Sequence, residues 1–361
     1  MIPISYCNTV NTDYDDFVKV FKFKVDTWLR NGYVGNKHKL NAKSWKRRYA
    51  RLNDEQKQTF KSLFPGLSKM PSHADFSANE WILDTPTRSF LEYIKNTVGI
   101  DTFTNKSLTE LKSVDSTING DGRFGDFTSK NSALYKNIYH AFVEIGYEHN
   151  IKKDSFIDAI GINVCPYCNR SFIQNVSAGK KSVVKGELDH FLSKEDYPYF
   201  AICKYNLVPS CPFCNHGKRN QNRPNLRSPY DLRDANGIKF KMTITGHDFP
   251  NMEQCANAIT ILVEDNANGG SSMQDNIDQF HLQEVYQTHT DFAAEIYYMG
   301  KLKLNTKYLY NIRKRLKKLH MGITKDEVDR LILGFYTNPQ DFGNRPLSKF
   351  RYDIAVDEGV I

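Results

Sequence analysis

Apolar residues recur every three or four positions over residues 13–31, which predicts an amphipathic helix near the start of the chain. A second helix is predicted to begin after Asp84, where a proline suits the first turn. Residues 131–148 carry apolar side chains on one side at the same spacing and predict a third helix. The first 150 residues are therefore predicted to be largely helical.

The pattern changes over residues 161–235, where cysteines, prolines, asparagines and short apolar runs replace the helical spacing. Apolar and polar residues then alternate over 238–244, which predicts a half-buried strand, and the apolar run 259–263 is predicted to pair with it. Helical spacing returns from residue 275 onward. These changes predict an N-terminal helical domain, a central module and a C-terminal strand pair with helices, with the bounds 1–150, 151–235 and 236–361.

Basic residues are unevenly distributed along the 361-residue chain, whose formal net charge is +8 and whose pI is about 8.9. They cluster over residues 37–51 and again over 301–318, which holds eight lysines and arginines and no acid. Such a run is usually a solvated helix face, but it also suits an anionic partner such as nucleic acid. The predicted contacts to DNA phosphates are Lys218, Arg219, Lys314, Arg315, Lys317 and Lys318.

The sequence carries no pattern of a secretory signal peptide and no apolar run long enough to span a membrane. We therefore expect a cytoplasmic protein without a membrane partner. Because cytoplasmic thiols stay reduced, its seven cysteines are not expected to form disulfides.

Four of the cysteines form two matching pairs, Cys165-Pro-Tyr-Cys168 and Cys211-Pro-Phe-Cys214, with 42 residues between them. Four thiolates complete a closed tetrahedral zinc site, which has no open position for a substrate. Two alternatives to a zinc site are that the four cysteines are unrelated free thiols or that each pair is a redox-active C-x-x-C motif. The redox alternative is disfavoured because the motif occurs twice and has no thioredoxin-like context. We therefore expect structural zinc, which would supply folding energy to a small module.

Polar residues that could catalyse hydrolysis lie between the two cysteine pairs and directly after the second pair. Asp189 and Asn215 offer the hard oxygen ligands that Mg²⁺ prefers. His190 can act as a general base near neutral pH, since the unperturbed pKa of histidine is about 6.5. Glu187 is an additional candidate ligand for which a solvent-facing position is favoured, and His216 is expected to face solvent or phosphate.

The order C-x-x-C, D-H, N, C-x-x-C-N with a following Lys218 resembles the HNH endonucleases in their zinc-clamped ββα-metal form, over roughly 70 residues, about a fifth of the chain. The resemblance implies that His190 is the general base that activates water. It also implies that Asp189 and Asn215 hold a catalytic Mg²⁺ or Mn²⁺, and that Asn206 ties the loop by hydrogen bonds to the backbone.

The implied activity is phosphodiester hydrolysis of DNA that leaves 5′-phosphate and 3′-hydroxyl ends. The segment also resembles HNH proteins of bacterial anti-phage systems, such as the Septu-type nucleases, which implies an ATPase or sensor protein as a partner. One HNH module cuts one strand, so the sequence leaves a homo-oligomer open. A non-catalytic, zinc-stabilised nucleic-acid-binding module and a nuclease subunit that a partner activates stay as alternatives.

The fold class that follows is α+β, mostly helical, with a central ββα-metal (HNH) module clamped by a four-cysteine zinc site. The first strand of this module is expected to end near His190, and its helix is expected to begin near Pro212.

Overall fold

The structure is a computed structural model that describes two compact units of the chain. We call the described residues of Val10–Phe156 and His190–Val208 the helical unit, and those of Met1–Thr9, Ile157–Asp189 and Pro209–Ile361 the knuckle unit. The predicted basic stretch 37–51 lies outside the described residues. The described residues are 1–4, 12–31, 34, 54, 83–124, 127, 129–178, 181–184, 186–219, 223–266, 272–304, 306–318 and 322–361.

The helices of the helical unit begin where the sequence offers N-terminal caps. Asp84 accepts a hydrogen bond from the backbone of Thr87 at the start of the second helix, and Ser107 forms a capping box with Glu110 at the fourth. The predicted third helix is present, and its second half has the wider π-helical winding. The bounds are α1 Thr12–Asn31, α2 Thr85–Glu92, a π-helical turn Tyr93–Val98, α3 Ile100–Thr104, α4 Leu108–Gly120, α5 Ala133–Ile138 and a π-helix Tyr139–Glu148.

Aromatic side chains fill the core of the helical unit. Phe142 contacts Phe21 and Phe90 edge-on, with ring centroids 5.2 and 6.1 Å apart. Tyr199 and Phe200 lie in the chain segment that follows His190, and they pack into the same core against Phe90 and other rings. Burial of large rings is strongly favourable, so this segment is fixed to helices that precede it by many residues in sequence.

The knuckle unit holds two small sheets and most of the remaining helices. Strands β1 (Val176–Ala178) and β2 (Lys181–Val184) form an antiparallel hairpin, and β5 (Ile238–Ile244) pairs antiparallel with β6 (Ile259–Asp265), as predicted. The helices are α7 Pro212–Lys218, α8 Met252–Asn257, α9 Gln274–Gln279, α10 Leu282–Gln287, α11 Thr290–Lys301, α12 Thr306–Lys318, α13 Lys325–Leu333 and α14 Ser348–Asp357.

Strand β6 is covered along its open edge by α10. Gln283 and Gln287, one helical turn apart, each donate to and accept from backbone groups of β6, which satisfies the peptide groups that an edge strand leaves unpaired. On β5, Phe240 packs against Tyr286 and Phe350, with ring centroids 4.2 and 5.6 Å apart. These contacts form the core beside the cysteine pairs.

Among the described residues, three elements carry the chain from one unit to the other. Helix α6 (Lys153–Ile160) is one, and the paired strands β3 (Glu187–His190) and β4 (Leu207–Ser210) are the others. The predicted end of a strand at His190 and the predicted start of a helix at Pro212 are both confirmed.

The fold is α+β with small two-stranded sheets, as expected. The division into residues 1–150, 151–235 and 236–361 stays a prediction. Among the described residues, no helix combines the length and the apolar character that crossing a membrane requires.

Candidate metal centre and catalytic residues

The four predicted cysteine ligands come together in the knuckle unit. Cys165, Cys168, Cys211 and Cys214 are buried, and their Sγ atoms all lie within 4.8 Å of one another. Burial raises the pKa of the Cys165 thiol, whereas hydrogen bonds from the three neighbouring thiols lower the pKa of Cys211. Four buried thiolates would repel one another without a cation, so this group is suited to hold a metal ion such as zinc.

The first cysteine pair is shaped by a tight turn. The Asn169 backbone N–H donates to the carbonyl of Cys165, and Asn169 itself adopts a left-handed conformation with a φ of 51°. Its side chain is buried, donates to the carbonyl of Phe342 and accepts from the backbone N–H of Lys349. The turn is therefore fastened to the C-terminal part of the same unit.

The second cysteine pair opens helix α7. Cys211 precedes the helix in an extended conformation, Pro212 occupies its first turn, and the Cys211 carbonyl accepts from the backbone N–H of Asn215. Asn215 and Lys218 follow within the same short helix. The helix therefore places these two side chains at a fixed offset from the cysteine cluster.

Asp189 is held by one residue from each cysteine region. Its Oδ2 accepts from the Tyr167 hydroxyl at 2.6 Å, and its Oδ1 lies 3.1 Å from the ammonium Nζ of Lys218. Asp189 is 3% exposed and Lys218 is fully buried. Burial and the Asp189 charge both raise the pKa of Tyr167, which keeps its hydroxyl protonated and able to donate.

This arrangement corrects the expectation that Lys218 contacts DNA phosphates, because its charge is buried against Asp189. Arg219 is exposed, and its contact to phosphate stays a prediction. The same arrangement also limits Asp189 as a metal ligand, since both carboxylate oxygens already have donors and one of these is a cation. Tyr167 was not predicted as part of this site. The available signal was its place between two cysteines, since a buried tyrosine hydroxyl requires a hydrogen-bond partner.

A second polar group lies on the same unit, at the start of β3. The Asn215 amide Nδ2 donates to Oε2 of Glu187 at 2.7 Å, and the His216 Nε2 lies 3.5 Å from the same oxygen. The Glu187 side chain is 31% exposed and that of His216 is 73% exposed. Glu187 is therefore half-buried and paired, rather than simply solvent-facing, and His216 faces solvent as expected.

His190 belongs to the helical unit, where it lies at the end of β3 and is 9% exposed. Its Nε2 is 3.1 Å from the carbonyl oxygen of Ala201. Its ring meets the edge of Tyr147, with centroids 4.3 Å apart. A carbonyl oxygen can only accept, so a neutral His190 carries its proton on Nε2 and its lone pair on Nδ1.

Asn206 forms the predicted hydrogen bonds to the backbone. Its Oδ1 accepts from the Leu192 N–H at 2.7 Å, and its Nδ2 donates to the carbonyls of Leu192 and Phe200, each at 3.1 Å. Asn206 is fully buried, and these bonds close the segment that begins with His190. Its part in catalysis stays a prediction.

The predicted basic helix is present as α12, with Lys314, Arg315 and Lys318 exposed to solvent. The side chain of Lys317 lies outside the described residues. Arg313, on the same helix, is instead engaged with Asp329 at 2.6 Å. These three exposed cations therefore lie on a part of α12 that is open to an anionic partner.

The comparisons with known proteins give one partial likeness. Protein ea31 of Escherichia phage lambda is 42% identical to this chain over 52 residues, which are 13% of the chain and 18% of the phage protein. No protein-family profile and no solved structure matches the chain. Because the shared segment spans less than a fifth of either protein, the likeness assigns no activity to this chain.

Proposed function

We propose that this chain is a metal-dependent nuclease of the HNH type that hydrolyses phosphodiester bonds of DNA. The observation that carries the proposal is the contact between the His190 Nε2 and the Ala201 carbonyl, at 3.1 Å. This contact fixes the tautomer and the orientation of a nearly buried imidazole directly after Asp189. A histidine with a purely structural role could make the same hydrogen bond. The sequence Asp189-His190 between two cysteine pairs nevertheless favours a catalytic base.

In the proposed reaction, the Nδ1 lone pair of His190 accepts a proton from a water molecule as that water attacks the phosphorus. The Ala201 carbonyl would keep the opposite N–H in place, and it would stabilise the positive charge that develops on the ring. Asn206 would hold the backbone of the same segment in register through its three hydrogen bonds. In this mechanism, His190 accepts the proton, and Asn206 keeps the backbone that follows His190 in position.

The charges around Tyr147 support an anionic substrate. The ammonium groups of Lys153 and Lys194 lie 4.3 and 5.9 Å from the centroid of this ring, which is the ring that contacts His190. Lys194 also pairs with Glu148 at 3.0 Å, so its charge is partly offset. A phosphate near His190 would therefore lie close to two cationic side chains, which favours an anionic substrate.

Two kinds of metal would have separate roles. The cysteine cluster has four protein ligands and would hold zinc as a closed structural site. A hard divalent cation, when bound near the reacting phosphate, would supply charge stabilisation for the phosphate and the leaving oxygen.

The motif resemblance further supports a role as an effector of a bacterial anti-phage system in the cytoplasm, beside an ATPase or sensor partner. Such a partner would account for a large part of the chain that hydrolysis itself does not require. The anti-phage role and the protein partner are both proposed from the motif, and the proposed hydrolysis of DNA does not depend on either.

The experiment that tests the function is a cleavage panel with the purified full chain. Labelled double-stranded DNA, single-stranded DNA and RNA are each incubated with Mg²⁺, with Mn²⁺ and with a chelator that leaves the cysteine metal in place. We expect cation-dependent cleavage of DNA that leaves 5′-phosphate ends. Binding of DNA without cleavage under every cation and protein-partner condition would replace the nuclease with the non-catalytic binding module.

A further inference from the structure

Glu187 and Asp189 are two residues apart in β3, so their side chains share one face of the strand. Their surroundings differ in charge. Asp189 has the Lys218 ammonium at 3.1 Å and the Tyr167 hydroxyl at 2.6 Å. Among the described residues, no lysine or arginine lies within ion-pair distance of Glu187, whose nearest ionisable partner is the imidazole of His216 at 3.5 Å.

The geometry points to Glu187, Asn215 and His216 as the protein ligands of the divalent cation, with Asp189 as a positioning residue. This inference rests on the proposed nuclease function and departs from the ligand pair Asp189 and Asn215 that the motif implies. A dication at Oδ1 of Asp189 would lie beside the like charge of Lys218, which is buried and cannot be screened by water. Glu187 presents a carboxylate without that obstacle.

The side chains of Asn215 and His216 both approach the same carboxylate oxygen of Glu187. The Glu187 Oε2 is 2.7 Å from the Asn215 Nδ2 and 3.5 Å from the His216 Nε2. Rotation of the Asn215 amide by half a turn about its last torsion exchanges Nδ2 for Oδ1, without any movement of the backbone. The set then offers a carboxylate oxygen, an amide oxygen and an imidazole nitrogen.

This donor set selects among cations. Carboxylate and amide oxygens suit Mg²⁺ and Mn²⁺, whereas imidazole favours transition metals over Mg²⁺ and Ca²⁺. Mn²⁺ satisfies both preferences. Three protein ligands leave coordination positions for water and phosphate, and the exposure of His216 opens this side of the site to solvent.

Asp189 would act through its neighbours rather than on the cation. Its bond to Lys218 joins β3 to α7, three residues after Asn215, and its bond to Tyr167 joins β3 to the first cysteine pair. These two contacts keep Glu187 and Asn215 at a fixed separation. The cysteine metal would thereby support the cation site without touching it.

The test measures Mn²⁺ binding directly, by the loss of the free Mn²⁺ signal in electron paramagnetic resonance, with the cysteine metal left in place. Glu187→Gln keeps the size of the side chain and removes the charge, and we expect the dissociation constant for Mn²⁺ to rise at least about tenfold, as we also expect for His216→Ala. The matched control is Glu264→Gln, a half-buried carboxylate of the same unit that is paired with Lys241 at 2.7 Å. This control should bind Mn²⁺ as the wild type does.

Tyr167→Phe separates the two assignments without removing a charge. If Asp189 were a ligand, the loss of the Tyr167 hydroxyl would release one carboxylate oxygen and tighten Mn²⁺ binding, whereas our inference predicts unchanged or weaker binding, because this hydroxyl only helps to position β3. Wild-type affinity in Glu187→Gln, tighter binding in Tyr167→Phe, or no Mn²⁺ binding by the wild type would each overturn the inference. Mn²⁺ binding through Glu187 in a chain that never cleaves would uphold this site and reject the nuclease, whereas cation-dependent cleavage with unchanged binding in Glu187→Gln would do the reverse.

Discussion

The ammonium of Lys218 lies 3.1 Å from the carboxylate of Asp189, and both side chains are buried in the knuckle unit. Lys218 is the last residue of helix α7, which follows Cys211, and Asp189 lies in strand β3, so the pair joins this helix to this strand. A buried ion pair is costly to break, because the charge that remains has no solvent to stabilise it. The relationship therefore has measurable consequences for stability.

Lys218→Met removes the cation and leaves Asp189 charged. We expect the free energy of unfolding of the knuckle unit to fall by about 3–5 kcal/mol, which is typical for one partner removed from a buried pair. The double variant Lys218→Met, Asp189→Asn should recover part of this loss. The control Lys241→Met breaks the solvent-accessible pair with Glu264, whose side chains are 41% and 44% exposed, and should cost less than about 1 kcal/mol. Equal effects of Lys218→Met and Lys241→Met in chemical denaturation would contradict this description.

Removal of one cysteine ligand should release the structural metal. Cys165→Ser is expected to lose the ion and to loosen the knuckle unit, because a structural zinc site contributes directly to folding. Cys255→Ala changes another buried cysteine of the same unit that lies outside the cluster, and it should keep its metal. Elemental analysis of both proteins measures the difference. A folded wild type without any bound metal would refute the metal site.

Asn206 offers a test of the segment that follows His190. Asn206→Asp keeps the acceptor for the Leu192 N–H but sets a carboxylate against two carbonyl oxygens that now receive a hydrogen bond. We expect it to cost at least as much stability as Asn206→Ala, in the range of about 1–3 kcal/mol or more for buried groups left unsatisfied. Thermal unfolding of the two variants provides the comparison, and wild-type stability in Asn206→Asp would show that these bonds do not hold the segment.

The exposed cations of α12 are predicted to bind DNA without taking part in the chemistry. Replacement of Lys314, Arg315 and Lys318 by glutamine should lower DNA affinity and flatten its dependence on salt, by about 0.9 in the logarithmic slope for each phosphate that is no longer neutralised. Lys241→Gln serves as the control, since Lys241 is paired with Glu264. Titrations at two salt concentrations measure the slope. Unchanged affinity in the triple variant would leave α12 as a solvated helix face.

Local patterns predicted the elements but not the contacts that build the site. Period-two alternation was sufficient for β5, and the proline after Cys211 was sufficient for the start of α7. The bond between Tyr167 and Asp189 joins positions 22 residues apart, and no periodicity reports such a pair. The contact of Lys218 with DNA phosphates was predicted wrongly for the same reason. The sequence shows that a basic residue follows the motif, but it does not show that this residue is buried against Asp189.

The membership of the compact units was equally hidden from the sequence. Tyr199 and Phe200 lie between the cysteine pairs along the chain, yet they pack with Phe90 and Phe103 in the helical unit. An apolar run shows that a segment is buried, but it does not show which distant segment buries it. Only the packing of the rings identifies the partner.

The measurement that tests the central claim most directly is single-turnover cleavage of saturating DNA by the wild type and by His190→Ala, with Mn²⁺ present. The substitution removes the proposed base, while the cysteine cluster and the Asp189 contacts stay as they are, so the variant should fold, keep its cysteine metal and bind DNA. We expect its cleavage rate to fall by roughly 10²- to 10⁴-fold, the usual contribution of general base catalysis. A folded His190→Ala that cleaves as fast as the wild type would contradict the proposed mechanism.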